Sequence, residues 1–146
     1  FITRKVEANI PYDLKNMSNT EGVTAAGLFP YTPFANTMLA DFAIKSIDAE
    51  GLGLDDQTDM LCISFSTPDI IGHAFGPYSI EIEDTYLRFD QNIADLFKFL
   101  DTEVGVGKYT VFLTADHGAA QVPAYLQSLE IPAPYFKSKE FKKYLE

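Results

Sequence analysis

The sequence predicts an α/β fold with a mainly parallel sheet, because helical apolar patterns alternate with short apolar runs along its central part. Apolar residues recur at helical spacing after Thr32 and again over about 82–100. The runs 59–66 and 109–114 follow these two helices and are typical of buried strands. The order helix–strand–helix–strand predicts a crossover between two parallel strands of one sheet.

The flanking residues delimit the first helix. Thr32 is a candidate cap, and Pro33 suits the first turn because a helix leaves the N–H groups there unpaired. Gly51 and Gly53 are expected to end the helix. The apolar positions that define its period are Phe34, Met38, Leu39, Phe42, Ala43 and Ile47.

The remaining elements are predicted from shorter patterns. The segment 67–78 contains two prolines and two glycines and is predicted to be a loop, as is 15–27. Short helices are predicted near 122–129 and 138–145, and a weakly alternating strand over 1–10. The apolar stripe of the second long helix consists of Tyr86, Phe89, Ile93, Leu96, Phe97 and Leu100.

Composition fits one domain over residues 1–146, with 47% hydrophobic and 22% charged residues. No apolar run is long enough to predict a membrane span. The net charge of −10 argues against a nucleic-acid polymer as partner, since phosphates would be repelled. Cys62, the only cysteine, excludes an intrachain disulfide and is predicted to be a small core residue.

Two Asp/His pairs follow the two predicted strands. Asp69 and His73 come after the first strand, and Asp116 and His117 come after the second. Ligands of parallel sheets gather at the carboxyl ends of the strands, and carboxylate and imidazole are common zinc ligands. A single pair is a weak signal, because an isolated histidine is more often a hydrogen-bonded polar residue. Two pairs at neighbouring strand ends predict a metal or catalytic site.

Hydroxyl side chains near the strand ends are weaker candidates for a nucleophile, because the sequence places no third histidine beside them as a base. These residues are Ser64, Ser66, Thr67 and Thr114. The acidic residues that open the second long helix are better explained by the helix dipole.

The segments 66–77 and 114–119 resemble the alkaline phosphatase superfamily. The branch is the type I phosphodiesterase/nucleotide pyrophosphatase-like one, which includes single-subunit bacterial alkaline phosphatases. The segments 31–37 and 79–88 support the resemblance, which extends over roughly residues 28–120. It implies a three-layer alkaline-phosphatase-like core with a mainly parallel sheet, of which only part is present here.

The resemblance also implies the chemistry. Asp69 and His73 match ligands of a first Zn²⁺, and Asp116 and His117 match ligands of a second. The family hydrolyses small phosphate esters through a phospho-enzyme formed on a threonine or serine. Two metals about 4 Å apart stabilise the attacking and leaving oxygens together.

The family's nucleophile lies upstream of the matched segments, and a third histidine ligand lies downstream. Both histidines of this chain are already assigned, so each zinc would keep two protein ligands. We therefore expect the chain to be a fragment of a larger catalytic domain, inactive alone. The family is often exported, which implies a periplasmic or extracellular location.

Alternative interpretations remain open. Sulfatases and cofactor-independent phosphoglycerate mutases share the core, and the motif at Asp116–Gly118 does not separate them. A non-catalytic structural or interaction domain with relic metal motifs is an interpretation of another class. The choice between monoester and diester substrates depends on residues outside the matched segments.

Overall fold

The structure, a computed structural model, describes residues 13–17, 22, 24–136, 138–143 and 145. In these residues helices alternate with irregular segments. The helices are α1 Leu14–Met17, α2 Ala25–Leu28, α3 Phe34–Glu50, α4 Thr67–Phe75, α5 Ile80–Leu100, α6 Pro123–Ser128 and α7 Ser138–Lys142, with a 3₁₀ turn at Phe29–Tyr31 and a π-helical turn at Asp101–Gly105.

The predicted first long helix is confirmed as α3, although its cap differs from the prediction. The Thr32 hydroxyl donates to the Phe29 carbonyl at 2.8 Å, so it serves the preceding 3₁₀ turn rather than the helix. Pro33 stands immediately before the first helical residue. Gly51 ends the helix with a left-handed φ of 65°, a conformation that glycine adopts without a Cβ clash.

Helix α4 replaces most of the loop predicted over 67–78, so that prediction was wrong. Pro68 stands in the first turn, where its missing N–H costs nothing, and Gly76 and Pro77 lie beyond the helix end. Gly72 is inside the helix, where a Cβ would come within 4.0 Å of Ile82 Cδ1. The number of prolines and glycines in 67–78 predicts a loop, whereas their positions are compatible with a helix.

The core lies where α5 packs against α3 and α4. Helix α5 begins at Ile80, two residues before its predicted start, because the Ser79 hydroxyl accepts from the Ile82 N–H at 3.3 Å and caps it. Thr85 is fully buried and satisfies its hydroxyl by donating to the Glu81 carbonyl. The buried apolar residues are Ala40, Ala43 and Ile47 of α3, Ile71 of α4, and Ile82 and Leu96 of α5.

The runs 59–66 and 109–114, predicted as buried strands, form no strand in the described chain. Met60 is 87% exposed and Phe112 90% exposed, and Cys62 is exposed rather than in the core. A strand is stable only when a neighbour pairs its N–H and C=O groups. No backbone hydrogen bond among the described residues joins the two runs. The predicted parallel sheet is therefore not formed by this part of the chain.

Four short helices lie outside these regions in the described chain. Helices α6 and α7 confirm the two predicted near 122–129 and 138–145, whereas α1 and α2 occupy parts of the predicted loop over 15–27. The strand predicted over 1–10 lies outside the described residues. Within the described chain, every helix is too short or too polar to cross a membrane.

The packing of α4 on α5 predicts the effect of a core truncation. Ile71→Ala removes a side chain that is 1% exposed and leaves a cavity, so we expect the free energy of unfolding to fall by about 2–5 kcal/mol. Ile80→Ala is the matched control, because Ile80 is 52% exposed on the same helix pair. Urea unfolding followed by circular dichroism measures the free energy of unfolding of both variants. An equal loss in the two would contradict the assignment of Ile71 to the core.

The end of α4 offers a second test. Gly76 has φ 100°, and an added Cβ would lie 3.3 Å from Val122 Cγ2, so Gly76→Ala is expected to cost about 1–3 kcal/mol. Gly118→Ala serves as the control, since an added Cβ there meets no atom within 4 Å. Thermal unfolding of the two variants should separate them, and an unchanged midpoint for Gly76→Ala would show that this turn is not strained by a side chain.

Candidate metal site

The first Asp/His pair lies on one face of α4. Asp69 and His73 are four residues apart, one helical turn, and Asp69 Oδ1 lies 3.3 Å from His73 Nε2. Their side chains are 50% and 76% exposed, respectively. Both side chains can therefore be reached by an ion or a substrate from solvent.

The second pair lies in the irregular segment between the π-helical turn and α6. The backbone N–H of His117 donates to Asp116 Oδ1 at 3.1 Å, and the ring atom His117 Nε2 lies 3.7 Å from Asp116 Oδ2. On the other side of the ring, His117 Nδ1 lies 3.0 Å from the Gly118 carbonyl. A carbonyl oxygen only accepts, so Nδ1 is the ring donor and Nε2 of the neutral imidazole carries the lone pair.

The two pairs meet at Asp69. His117 Nε2 lies 3.6 Å from Asp69 Oδ1, and the rings of His73 and His117 are 6.4 Å apart between centroids. The sequence predicts that these pairs lie at the same edge of a sheet. The structure brings them together without that sheet, because α4 and the segment that carries His117 lie side by side.

The electrostatics of this junction favour a positive charge. The Gly118 carbonyl, the Asp116 carboxylate and the Asp69 carboxylate, in that order of effect, raise the pKa of His117 above its ordinary value, against a small desolvation effect. With Nδ1 bonded to Gly118, the Nε2 lone pair faces a carboxylate oxygen across 3.6 Å. A cation between them, either a ring proton or a metal ion, relieves that repulsion.

The donor set fits zinc in kind but not in number. Two carboxylates and two imidazoles are ligands that zinc takes readily. Within the described residues, however, no three His, Cys, Asp or Glu side chains are arranged to hold one ion. Each ion-pair distance among the four residues involves Asp69 or joins the two members of one pair, so the residues form a partial site.

The hydroxyl candidates do not join this site. The Ser64 and Ser66 hydroxyls lie 3.5 Å from each other, and Thr114 donates to the neighbouring Ala115 carbonyl at 3.3 Å. Thr67 is buried in the first turn of α4. None of these hydrogen bonds involves a histidine. Sequence reasoning did not foresee the sharing of Asp69 or the role of the Gly118 carbonyl, because both depend on how α4 and the His117 segment meet.

Comparison with known proteins identifies the family. The model of the type I phosphodiesterase/nucleotide pyrophosphatase family matches residues 8–142. Alkaline phosphatase PafA of Elizabethkingia meningoseptica is 48% identical over 75% of this chain and 20% of its own length. A protein of Myroides odoratus named calcium-transporting ATPase is 44% identical over 91% and 24%, and alkaline phosphatase PhoV of Synechococcus elongatus is 43% identical over 83% and 21%.

The structural comparison agrees. The crystal structure of wild-type alkaline phosphatase PafA superposes with a TM-score of 0.77 and 46% identity, over 82% of this chain and 23% of that one. The chain thus spans about a fifth to a quarter of the length of these relatives. The resemblance seen in the sequence is confirmed: this chain belongs to the type I phosphodiesterase/nucleotide pyrophosphatase family, a branch of the alkaline phosphatase superfamily.

Proposed function

We propose that this chain is part of a zinc-dependent phosphate-ester hydrolase in which Asp69, His73, Asp116 and His117 are metal ligands. The observation that carries the proposal is the convergence of both Asp/His pairs at one carboxylate, that of Asp69. Support comes from the family and from relatives named alkaline phosphatase, 48% and 43% identical to this chain.

Each pair would supply two ligands of a two-zinc site, Asp69 and His73 for one ion and Asp116 and His117 for the other. Bound zinc would supply Lewis-acid polarisation of the phosphoryl oxygens. The chain's own part is to present the ligands. The Gly118 carbonyl holds the His117 ring with Nε2 directed at Asp69, and α4 holds Asp69 and His73 one turn apart.

The charge of the site supports a cation-dependent reaction. A phosphate ester carries negative charge and would be repelled by Asp69 and Asp116 in a chain whose net charge is −10. Divalent ions at the two pairs reverse the local sign, which makes the same site attractive for a small anionic ester. Substrate binding should therefore depend on metal.

We further propose that residues 1–146 are a fragment of a larger catalytic domain, whose threonine or serine nucleophile lies outside this chain. The support is that Ser64, Ser66 and Thr114 have local hydrogen bonds without a base, and that the chain matches about a fifth to a quarter of its relatives. The parent protein would hydrolyse monoesters or diesters. On the family resemblance, we place it in the periplasm or outside the cell.

Zinc binding by the chain itself tests the ligand assignment. With two ligands per ion, we expect calorimetry to give an affinity weaker than micromolar. Asp69→Asn should weaken it about tenfold or more, because Asp69 faces both histidines. Asp90→Asn, on the exposed part of α5, is the charge-matched control and should leave it unchanged. Micromolar or tighter binding that is lost in His73→Ala would contradict the expectation of weak binding.

Hydrolysis of p-nitrophenyl phosphate tests the reaction. The 146-residue chain with added zinc should be inactive, whereas the parent protein should turn the ester over. In the parent, Asp116→Asn is expected to lower kcat/KM on the order of a hundredfold, since the metal contributes several kcal/mol to the transition state. Asp90→Asn in the parent is the control and should leave kcat/KM unchanged.

Robust zinc-dependent turnover by the chain alone would refute the placement of the nucleophile outside it. The reading frame that encodes the chain gives an independent check. A threonine or serine after an upstream strand, preceded by a metal-type aspartate, is expected. A frame that begins near Phe1 would instead favour a non-catalytic domain.

A further inference from the structure

The stretch that carries Asp116 and His117 has little packing of its own. Every residue from 110 to 120 is exposed, and no backbone–backbone hydrogen bond among the described residues involves these positions. The side-chain hydrogen bonds of the stretch are local and join neighbouring residues. Its ion pair with Asp69 lies at the surface, where such a pair contributes little to stability. Contacts at the ends of the stretch are therefore needed to hold the His117 ring in place.

The two ends of the stretch are anchored differently. On the upstream side, the Tyr109 hydroxyl donates to Asp101 Oδ1 at 2.7 Å, and Tyr109 precedes His117 by eight residues. On the downstream side, Val122 follows His117 by five residues and lies against Gly76 at the end of α4. Eight residues can extend over about 28 Å and five over about 18 Å, so the downstream anchor restricts His117 more closely.

Gly76 provides the first part of the downstream anchor. It is buried, and its N–H donates to the Gly72 carbonyl at 2.9 Å, so it continues the turn of α4 that carries His73. A Cβ at Gly76 would lie 3.3 Å from Val122 Cγ2 and 3.5 Å from Val122 Cγ1. The bare backbone of Gly76 therefore lets the Val122 side chain lie close to the end of the helix.

Two tyrosines form the second part of the anchor. The rings of Tyr78 and Tyr125 have centroids 5.2 Å apart and an interplanar angle of 37°, within the range in which aromatic pairs attract each other. Tyr78 stands between α4 and α5, and Tyr125 lies in α6. Together with the contact between Gly76 and Val122, this pair joins the end of α4 to the start of α6. We call these four residues the tyrosine clamp.

The clamp and the candidate metal site are successive contacts between the same two segments. The contacting residues follow in the same order in both segments, at positions 69, 76 and 78 in the first and 117, 122 and 125 in the second. Contacts in a common order align two segments, so a shift at the clamp moves His117 relative to Asp69. The pair on α4 needs no clamp, because one helix packed on α5 carries both of its residues.

We propose that the tyrosine clamp is a positioning device that holds His117 beside Asp69 and so aligns the second Asp/His pair with the first. Its consequence for zinc binding rests on the function proposed above. Its consequence for the distance between the His73 and His117 rings does not, because that distance is set in the metal-free chain.

The aromatic pair determines the size of the expected effect. Contact between two rings changes an equilibrium by about three- to tenfold, so removal of one ring should shift the chain away from the closed arrangement by about this factor. The zinc affinity of a site falls with the population that is competent to bind. We therefore expect affinity at His117 to fall about two- to tenfold. Affinity at His73 should not change, since its partner Asp69 lies on the same helix.

The test uses the 146-residue chain, whose two histidines make the imidazole protons easy to assign. Without metal, nuclear Overhauser effects between the His73 and His117 rings report their approach, since the ring centroids are 6.4 Å apart. With zinc chloride, the chemical shifts of each ring give a separate binding midpoint. Tyr125→Ala should weaken the ring-to-ring effect and raise the His117 midpoint about two- to tenfold, with the His73 midpoint unchanged.

Further variants assign the contact. Tyr125→Phe keeps the ring and should restore the wild-type values. Phe141→Ala removes one ring of the Phe136–Phe141 pair, whose centroids are 5.5 Å apart, and is the matched control that should change neither value. Tyr78→Ala should reproduce Tyr125→Ala, and the double variant should be no worse than either, because both remove the same contact. Tyr78 is 69% exposed, so Tyr78→Ala decides the question if Tyr125→Ala does not fold.

The proposal is overturned if Tyr78→Ala and Tyr125→Ala keep the ring-to-ring effect, if Phe141→Ala removes it equally, or if the wild-type chain shows none. An equal rise of the His73 and His117 midpoints would also overturn it, because it would indicate a general loosening of the chain. Failure of the wild-type chain to bind zinc at either histidine would instead refute the proposed ligands. The metal-free measurement would then still decide the role of the clamp.

Discussion

The contact of α4 with α5 is the constraint on which the described structure and its candidate site depend. Ile71 of α4 is 1% exposed, and the α4 backbone at Gly72 lies beside the Ile82 side chain of α5. Once this side of α4 is buried, Asp69 and His73 are left on its accessible side, one turn apart. The hydrophobic packing that holds the helix therefore also orients the first Asp/His pair, because both residues are built on one rigid element.

Three of the four proposed ligands meet at Asp69. One carboxylate faces two imidazoles, and the Gly118 carbonyl determines which nitrogen of His117 faces it. In a chain with a net charge of −10, a cation at this junction would offset the repulsion between the His117 Nε2 lone pair and the Asp69 carboxylate. On the proposed function, an anionic ester is expected to bind the metal-loaded protein and to be repelled by the bare chain.

The exposed apolar runs show how far a local pattern determines structure. The composition of 59–66 and 109–114 is that of buried strands, yet Met60 and Phe112 point into solvent here. An apolar run becomes a strand only when neighbouring strands pair its backbone and other elements cover its faces. In a chain that matches about a fifth to a quarter of its relatives, those neighbours are not among the described residues. Without such partners among the described residues, the two apolar runs form no sheet.

The loop predicted over 67–78 failed for a different reason. The number of prolines and glycines in this segment predicts a loop, although their effect depends on their position in the helix. Pro68 occupies a first turn and Gly76 follows the last residue of α4, so both fit the helix ends. The long helices α3 and α5 were predictable because a sustained apolar period with clear ends leaves few alternatives.

The amino-acid sequence by itself determined the two long helices, the family and the four residues proposed as ligands, because these depend on periodicity, on motifs and on residue chemistry. Only the tertiary structure decided that Asp69 is shared by both histidines, that Gly118 orients His117, and that the Tyr78 and Tyr125 rings pack together. These features join residues that are distant in the chain, and no local pattern encodes which segments will pack side by side. The packing of α4 on α5 fixes the position of Asp69 and His73, and the approach of His117 to Asp69 brings the two pairs together.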